Sequence, residues 1–191
     1  MSVAKVGARV LLGGLFFGHG MQKLTGWFGG PGLAGADGMM ASLSMYPPRR
    51  NSLAAGIVEA GGGTMLALGL GTPLASAALI GNMVTAIRKV HLPNGVWAAN
   101  GGWEYNAVLI AALAFLAEEG PGEVSLDRAL GMERTGPAWG LGALALGAAA
   151  SAGAIELGRR SAPPAAQAAP AASEGDESPF PDTAGDPVTD E

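Results

Sequence analysis

The chain has 191 residues, 49% of them hydrophobic and only 14% charged, with a mean hydropathy of +0.30, where a soluble domain carries roughly 25% charged residues. It contains no cysteine, which excludes disulfides, thiolate metal sites and thiol relays. The net charge of −5 is uneven: residues 161–191 hold seven acids and no Lys or Arg, leaving 11 basic and nine acidic side chains in residues 1–160. The basic residues are scattered at helix ends, so no nucleic-acid footprint is present. With 32 glycines and abundant alanine, the composition suits membrane helices that pack closely.

Residues 6–24 form the first predicted span. At 1.5 Å per residue its nineteen residues reach about 28 Å, close to the hydrocarbon thickness of a bilayer. Arg9 and Lys23 are placed to snorkel toward the two interfaces. No small-x-small cleavage site follows, so the run reads as an anchor and not as a cleaved signal. Gly14 and Gly18 offer a smooth strip for helix approach. Residues 25–51 read as a Gly-rich loop, with Trp27 and Phe28 at headgroup depth and Pro47-Pro48 before Arg49-Arg50. Residues 53–70 form the second span, which contains Glu59. A Gly71-Thr72-Pro73 turn makes a tight hairpin with the third span, 73–90, carrying Asn82, Thr85, Arg88 and Lys89.

A second Gly- and Trp-containing loop, 91–103, leads into a short fourth span from Glu104 to about Leu116. Residues 118–135 are polar and mostly acidic, with Val124, Leu126, Leu130 and Met132 suggesting a short surface helix. A fifth span of Ala, Gly and Leu, 137–157, is stopped by Arg159-Arg160. The remaining tail of Ala, Pro and acids has nothing to bury and is expected to be disordered. The five-span topology puts four basic residues on the face of the N-terminus and seven on the other, a count that by itself places the N-terminus outside. Setting aside Lys23, Arg88 and Lys89 as members of a site leaves four against four, so the positive-inside rule leaves orientation open.

The first and third spans run toward one membrane face, and the fourth begins there. An antiparallel bundle therefore gathers His19, Lys23, Arg88, Lys89, His91 and Glu104 near one depth, with Glu59 reaching them from the second span; His19, Lys23, Glu59, His91 and Glu104 form the candidate polar site. These five are the candidate catalytic residues. A histidine can exchange protons near neutral pH, a cation can polarise a carbonyl, and a carboxylate can relay protons. Quinone reduction needs those roles in an apolar pocket. Arg88 and Lys89 would attract an anion or a carbonyl, and with Trp27 and Trp103 they are the candidate cofactor-binding residues. All of these side chains also have plainer uses as anchors, belt aromatics or packing groups. Haem is not expected, since there is no CxxCH and no paired-His spacing; a metal site on His19, His91 and Glu104 is not expected either.

The residues Gly18-His19-Gly20-x-x-Lys23-Leu24, Trp27-Phe28-Gly29-Gly30, Glu59-x-Gly61-Gly62, Leu68-Gly69-Leu70-x-Thr72, His91, Asn94-Gly95 and Gly101-Gly102-x-Glu104 together resemble the DoxX family of small bacterial membrane proteins, over about residues 6–117. The resemblance implies a four-helix membrane core in the bacterial plasma membrane. The family is named for a subunit of an archaeal terminal quinol oxidase, and a related subunit belongs to thiosulfate:quinone oxidoreductase. An actinobacterial member is described as the membrane part of a complex linking superoxide dismutase and a thiosulfate sulfurtransferase to oxidative-stress resistance. The fifth span and acidic tail depart from the short family pattern.

The expected architecture is thus an all-α integral membrane protein: a four-helix core (1–117), a polar loop (118–136), a fifth transmembrane helix (137–158) and a disordered tail (159–191). The leading functional expectation is a multi-pass membrane subunit of a quinone-linked redox or oxidative-stress complex that borrows its electron carrier, quinone or a partner's. Its expected partners are the lipid bilayer and soluble redox enzymes. A non-enzymatic scaffold is the alternative. A transporter is less favoured, because no internal repeat or broken helix pair is found.

Overall fold

Seven α-helices follow one another in the computed structural model, which describes residues 3–164: α1 (Val3–Thr25), α2 (Gly32–Ser42), α3 (Pro48–Leu68), α4 (Thr72–Ala86), α5 (Glu104–Glu119), the four-residue α6 (Leu126–Ala129) and α7 (Pro137–Arg160). No strand occurs among the described residues. The five long helices follow the five expected spans. The expected tail lies mostly outside the described residues.

Two expectations are corrected along the chain. Residues 25–51 are not one loop, because Gly32–Ser42 forms α2 behind Pro31 and packs on α1 and α3 with Ala36 fully buried. Alanine and methionine there are good helix formers, and a tertiary surface is what stabilises so short a segment. The third span does not stay regular to its end. After Ala86 it widens into a π-helical turn, Ile87–His91, that carries Arg88 and Lys89.

Glycine decides how α1 and α3 meet. A Cβ on Gly13 would collide with the backbone of Gly63, and one on Gly20 with the backbone of Ala60. The two helices therefore pack antiparallel with their backbones nearly touching. Gly14 and Gly18, the strip expected from spacing, instead face open space or the rim of Phe28. α4 is the central helix, packed on α3, α5 and α7, with Leu79 and Ile80 buried. It runs parallel to α7, where Ile80 fills the space beside Gly147. The backbones of α1 and α5 stay apart, and a small cleft lies between their side chains.

The end of the bundle nearest Arg9 is closed by the segment between α5 and α7. Asp127, 1% exposed, accepts hydrogen bonds from Gly71 N (2.7 Å), Thr72 N (3.0 Å) and Thr72 Oγ1 (3.1 Å), so a carboxylate forty residues beyond α4 caps its N-terminus. Its own amide donates to Gly69 O at 2.9 Å. Arg9 is corrected here as well. It does not snorkel but is 1% exposed under this segment, with Nη2 donating to Val124 O at 2.6 Å and the Asp127 charge acting on it. The segment covers Arg9 before its stem can carry the guanidinium to an interface.

Only Pro137–Arg160, among the described residues, is long and apolar enough to cross a membrane by itself. α4 and α5, at 15 and 16 residues, are too short on their own; α1 and α3 have the length, but glycine and charge dilute them.

Replacing Gly63 by Ala should lower stability in detergent by about 1–3 kcal/mol, the cost of forcing atoms into a packed contact. Gly14→Ala should raise it by up to ~1 kcal/mol through helix propensity alone. Thermal melts of the two variants check the assignment of the packed face. Asp127→Ala should cost at least the ~1–2 kcal/mol of a lost cap and speed amide exchange at Gly71 and Thr72 ahead of the α4 core.

Candidate functional site

Lys23 and Glu59 were expected at one depth, and the fold brings them into contact. Side chains on a helix lean toward its N-terminus. On antiparallel helices, Lys23 on α1 and Glu59 on α3 therefore lean toward each other. Lys23 Nζ lies 2.6 Å from Glu59 Oε2, with the lysine side chain 19% exposed and the glutamate 5%. Lys23 thus turns inward and does not snorkel. Asn82 on α4 completes the group, its Nδ2 donating to Glu59 Oε1 at 2.7 Å. Both carboxylate oxygens are engaged, and three helices are joined through one side chain.

Lys23 and Glu59 lie in the wall of a cleft of about 110 Å³ lined by Leu12, Leu15, Phe16, His19, Lys23, Glu59, Met83, Tyr105 and Leu109, and Asn82 holds Glu59 from outside it. The cleft lies between α1 and α5. Leu15 and Tyr105, at 46% and 52% exposure, stand at its mouth. His19 is exposed on the rim and makes no protein hydrogen bond, so both ring nitrogens are open to a ligand. Below Tyr105, Asn106 is buried against Met83, its Nδ2 3.5 Å from the sulfur. The cleft offers an exposed imidazole, a partly open ammonium and a bound carboxylate among aliphatic and aromatic walls. It is large enough to hold a ring or a headgroup, with the remainder of a ligand left outside.

The other expected site residues lie elsewhere. His91 Nδ1 donates to Gly101 O at 2.7 Å, and Glu104 Oε1 accepts from Ala98 N at 2.8 Å. These two side chains brace the 92–103 loop, which Asn94 Nδ2 also ties to Gly101 O at 3.2 Å. Neither reaches the cleft. Arg88 is exposed and Lys89 half-buried on the π turn, outside the cleft lining. Trp27 is exposed and packs edge-to-face on Phe28, and Trp103 sits half-buried at the start of α5. Among the described residues no three His, Asp or Glu side chains gather as a metal-binding group.

Asn82 and Tyr105 were not among the expected site residues. An amide inside an apolar span was a usable signal, since a polar group there must find a partner. Its helical face pointed toward Thr85 and Lys89, however. Thr85 instead pairs with Ser151 Oγ of α7 at 2.9 Å. The Tyr105 position depended on how far α5 stands from α1, which spacing along the chain does not carry.

Lys23→Met and Glu59→Gln should each destabilise the protein by ~3–5 kcal/mol, because each leaves a buried charge without its counter-charge. The double variant Lys23→Met/Glu59→Gln should recover most of that loss. Melting of all four proteins in one detergent measures the coupling.

No curated protein and no solved structure matches this chain. The sequence model of the DoxX family matches residues 4–92, a stretch that includes His19, Lys23, Glu59, Asn82 and Met83 and stops short of α5 and α7. The motif pieces Asn94-Gly95 and Gly101-Gly102-x-Glu104 fall beyond it. Residues 4–92 thus carry the sequence pattern of the DoxX family of membrane proteins.

Proposed function

We propose that this protein is a multi-pass subunit of a quinone-linked redox or oxidative-stress complex in the bacterial plasma membrane, and that the cleft between α1 and α5 receives the ring of a quinone from the bilayer. The observation that carries the reading is the Lys23–Glu59 pair, held in place by Asn82, in a cleft whose other walls are mostly aliphatic and aromatic. The exposed leucines, isoleucine, valine and phenylalanine on the outer faces of all five long helices support a lipid surround: Leu11 and Leu15, Ile57, Leu74, Val108 and Phe115, Leu141 and Leu146. So many exposed large apolar groups are out of place on a water-facing surface. Lys23 would polarise a ring carbonyl, His19 would exchange the proton with the interface, and Glu59 would hold the lysine charged and in place. The chain has no cysteine and no metal-binding group among its described residues, so electrons would pass between the quinone and a partner subunit.

The second reading is a non-enzymatic scaffold that anchors soluble redox enzymes. It is favoured by the full use of both Glu59 oxygens in helix-to-helix bonds, which is what a purely structural cross-link needs.

Mass spectrometry of the detergent-purified protein, intact and after organic extraction, separates the two. The redox reading expects a quinone in the wild type and its loss from His19→Ala, a variant that removes no protein hydrogen bond and should fold. An empty wild type, together with unfolding of Glu59→Gln, would leave the scaffold.

A further inference from the structure

The positive-inside rule counts Lys and Arg that flank membrane spans on the cytoplasmic side, and the fold changes which residues are there to be counted. At the end of the bundle nearest Arg9, Arg9 itself is buried. Lys5 is folded onto Glu119, its Nζ 2.9 Å from the carbonyl oxygen and 3.5 Å from the carboxylate. Arg128 and Arg134 remain on that surface, the first held by Glu133 at 2.7 Å and the second lying 5.9 Å over the Trp139 ring. At the opposite end Lys23 is withdrawn into its bond with Glu59, while Arg49 pairs with Asp37 at 3.1 Å and Arg159 and Arg160 pair with Glu156 at 2.9 and 2.6 Å but stay exposed. Arg49 and Arg50 open α3, Arg88 and Lys89 ride the π turn after α4, and Arg159 and Arg160 close α7. All but the half-buried Lys89 are exposed.

The antiparallel and parallel contacts described above put these six residues at one end of the bundle, against two at the other. Trp27 and Phe28, 53% and 71% exposed, and Trp97, 65% exposed, stand at the same end. They have the amphipathic or apolar bulk that suits headgroup depth.

On the reading that these helices cross a bilayer, we propose that the Lys23 end faces the cytoplasm, its basic collar resting on the anionic headgroups of the inner leaflet. The start of α1 and the α6 segment then lie outside. The cleft opens within the inner leaflet, with His19 toward the cytoplasm. Residues 161–164, which follow α7, lie on that side too.

The absence of native cysteine makes the orientation directly testable with single thiols. Ala129→Cys on α6 and Ala98→Cys in the 92–103 loop, both at exposed positions, are made in the full chain. Spheroplasts are treated with a membrane-impermeant maleimide before and after lysis, and a permeant maleimide checks that each thiol is reactive. The expected result is labelling of Ala129→Cys before lysis and of Ala98→Cys only after it. The reversed pattern, or half-labelling of each thiol before lysis, overturns the orientation while leaving the membrane-crossing reading intact; full labelling of both before lysis overturns the crossing as well. Protection of both thiols until lysis overturns the two together.

Discussion

A carboxylate inside an apolar helix bundle has to be neutralised and hydrogen-bonded, or it will not stay there. Glu59 meets that demand with one cation from α1 and one amide from α4. The requirement fixes three helices relative to one another more narrowly than their apolar faces do, because leucine packing tolerates small slides and a 2.6 Å ion pair does not. The glycine faces of α1 and α3 serve the same geometry. Gly20 and Gly56 let the two backbones close together one turn from the pair, which shortens the distance that Lys23 must span.

The two ends of the bundle are built differently. At one end a distant segment, 122–127, brings a carboxylate to the exposed N–H groups of α4 and covers the Arg9 guanidinium. That end is stitched shut by side chain to backbone bonds. At the other end the loop of residues 92–103 is braced within itself by His91, Asn94 and Glu104, and a small cleft lies between the side chains of α1 and α5. A closed end and an open side would suit the lateral entrance proposed for a quinone, with the ion pair met through the wall of the bundle.

On the proposed reading, a redox role and a structural role fall on the same residues. The ion pair holds the bundle, and it is also the charged group that a carbonyl entering the cleft would meet. Unlike Lys23 and Glu59, His19 bears no structural bond. It is therefore the side chain on which function can be separated from folding.

Much of this was decided by the sequence by itself. The apolar runs and their punctuation by Gly71-Thr72-Pro73 and Arg159-Arg160 located the five long helices, because turn chemistry and burial are local properties of the chain. The isolated Glu59 announced a polar site for the same reason, its cost being intrinsic to its surroundings. Which residues answered it was a tertiary matter. His91 and Glu104 have the right chemistry at the right end of the bundle, yet loop backbone groups claim them before they reach the cleft. Asn82 reached Glu59 because α4 lies at the centre of the bundle, and Arg9 was buried because a segment more than a hundred residues away folds over it. Periodicity gives the face of a helix but not its neighbour, and the partner of a buried charge is chosen by the neighbour.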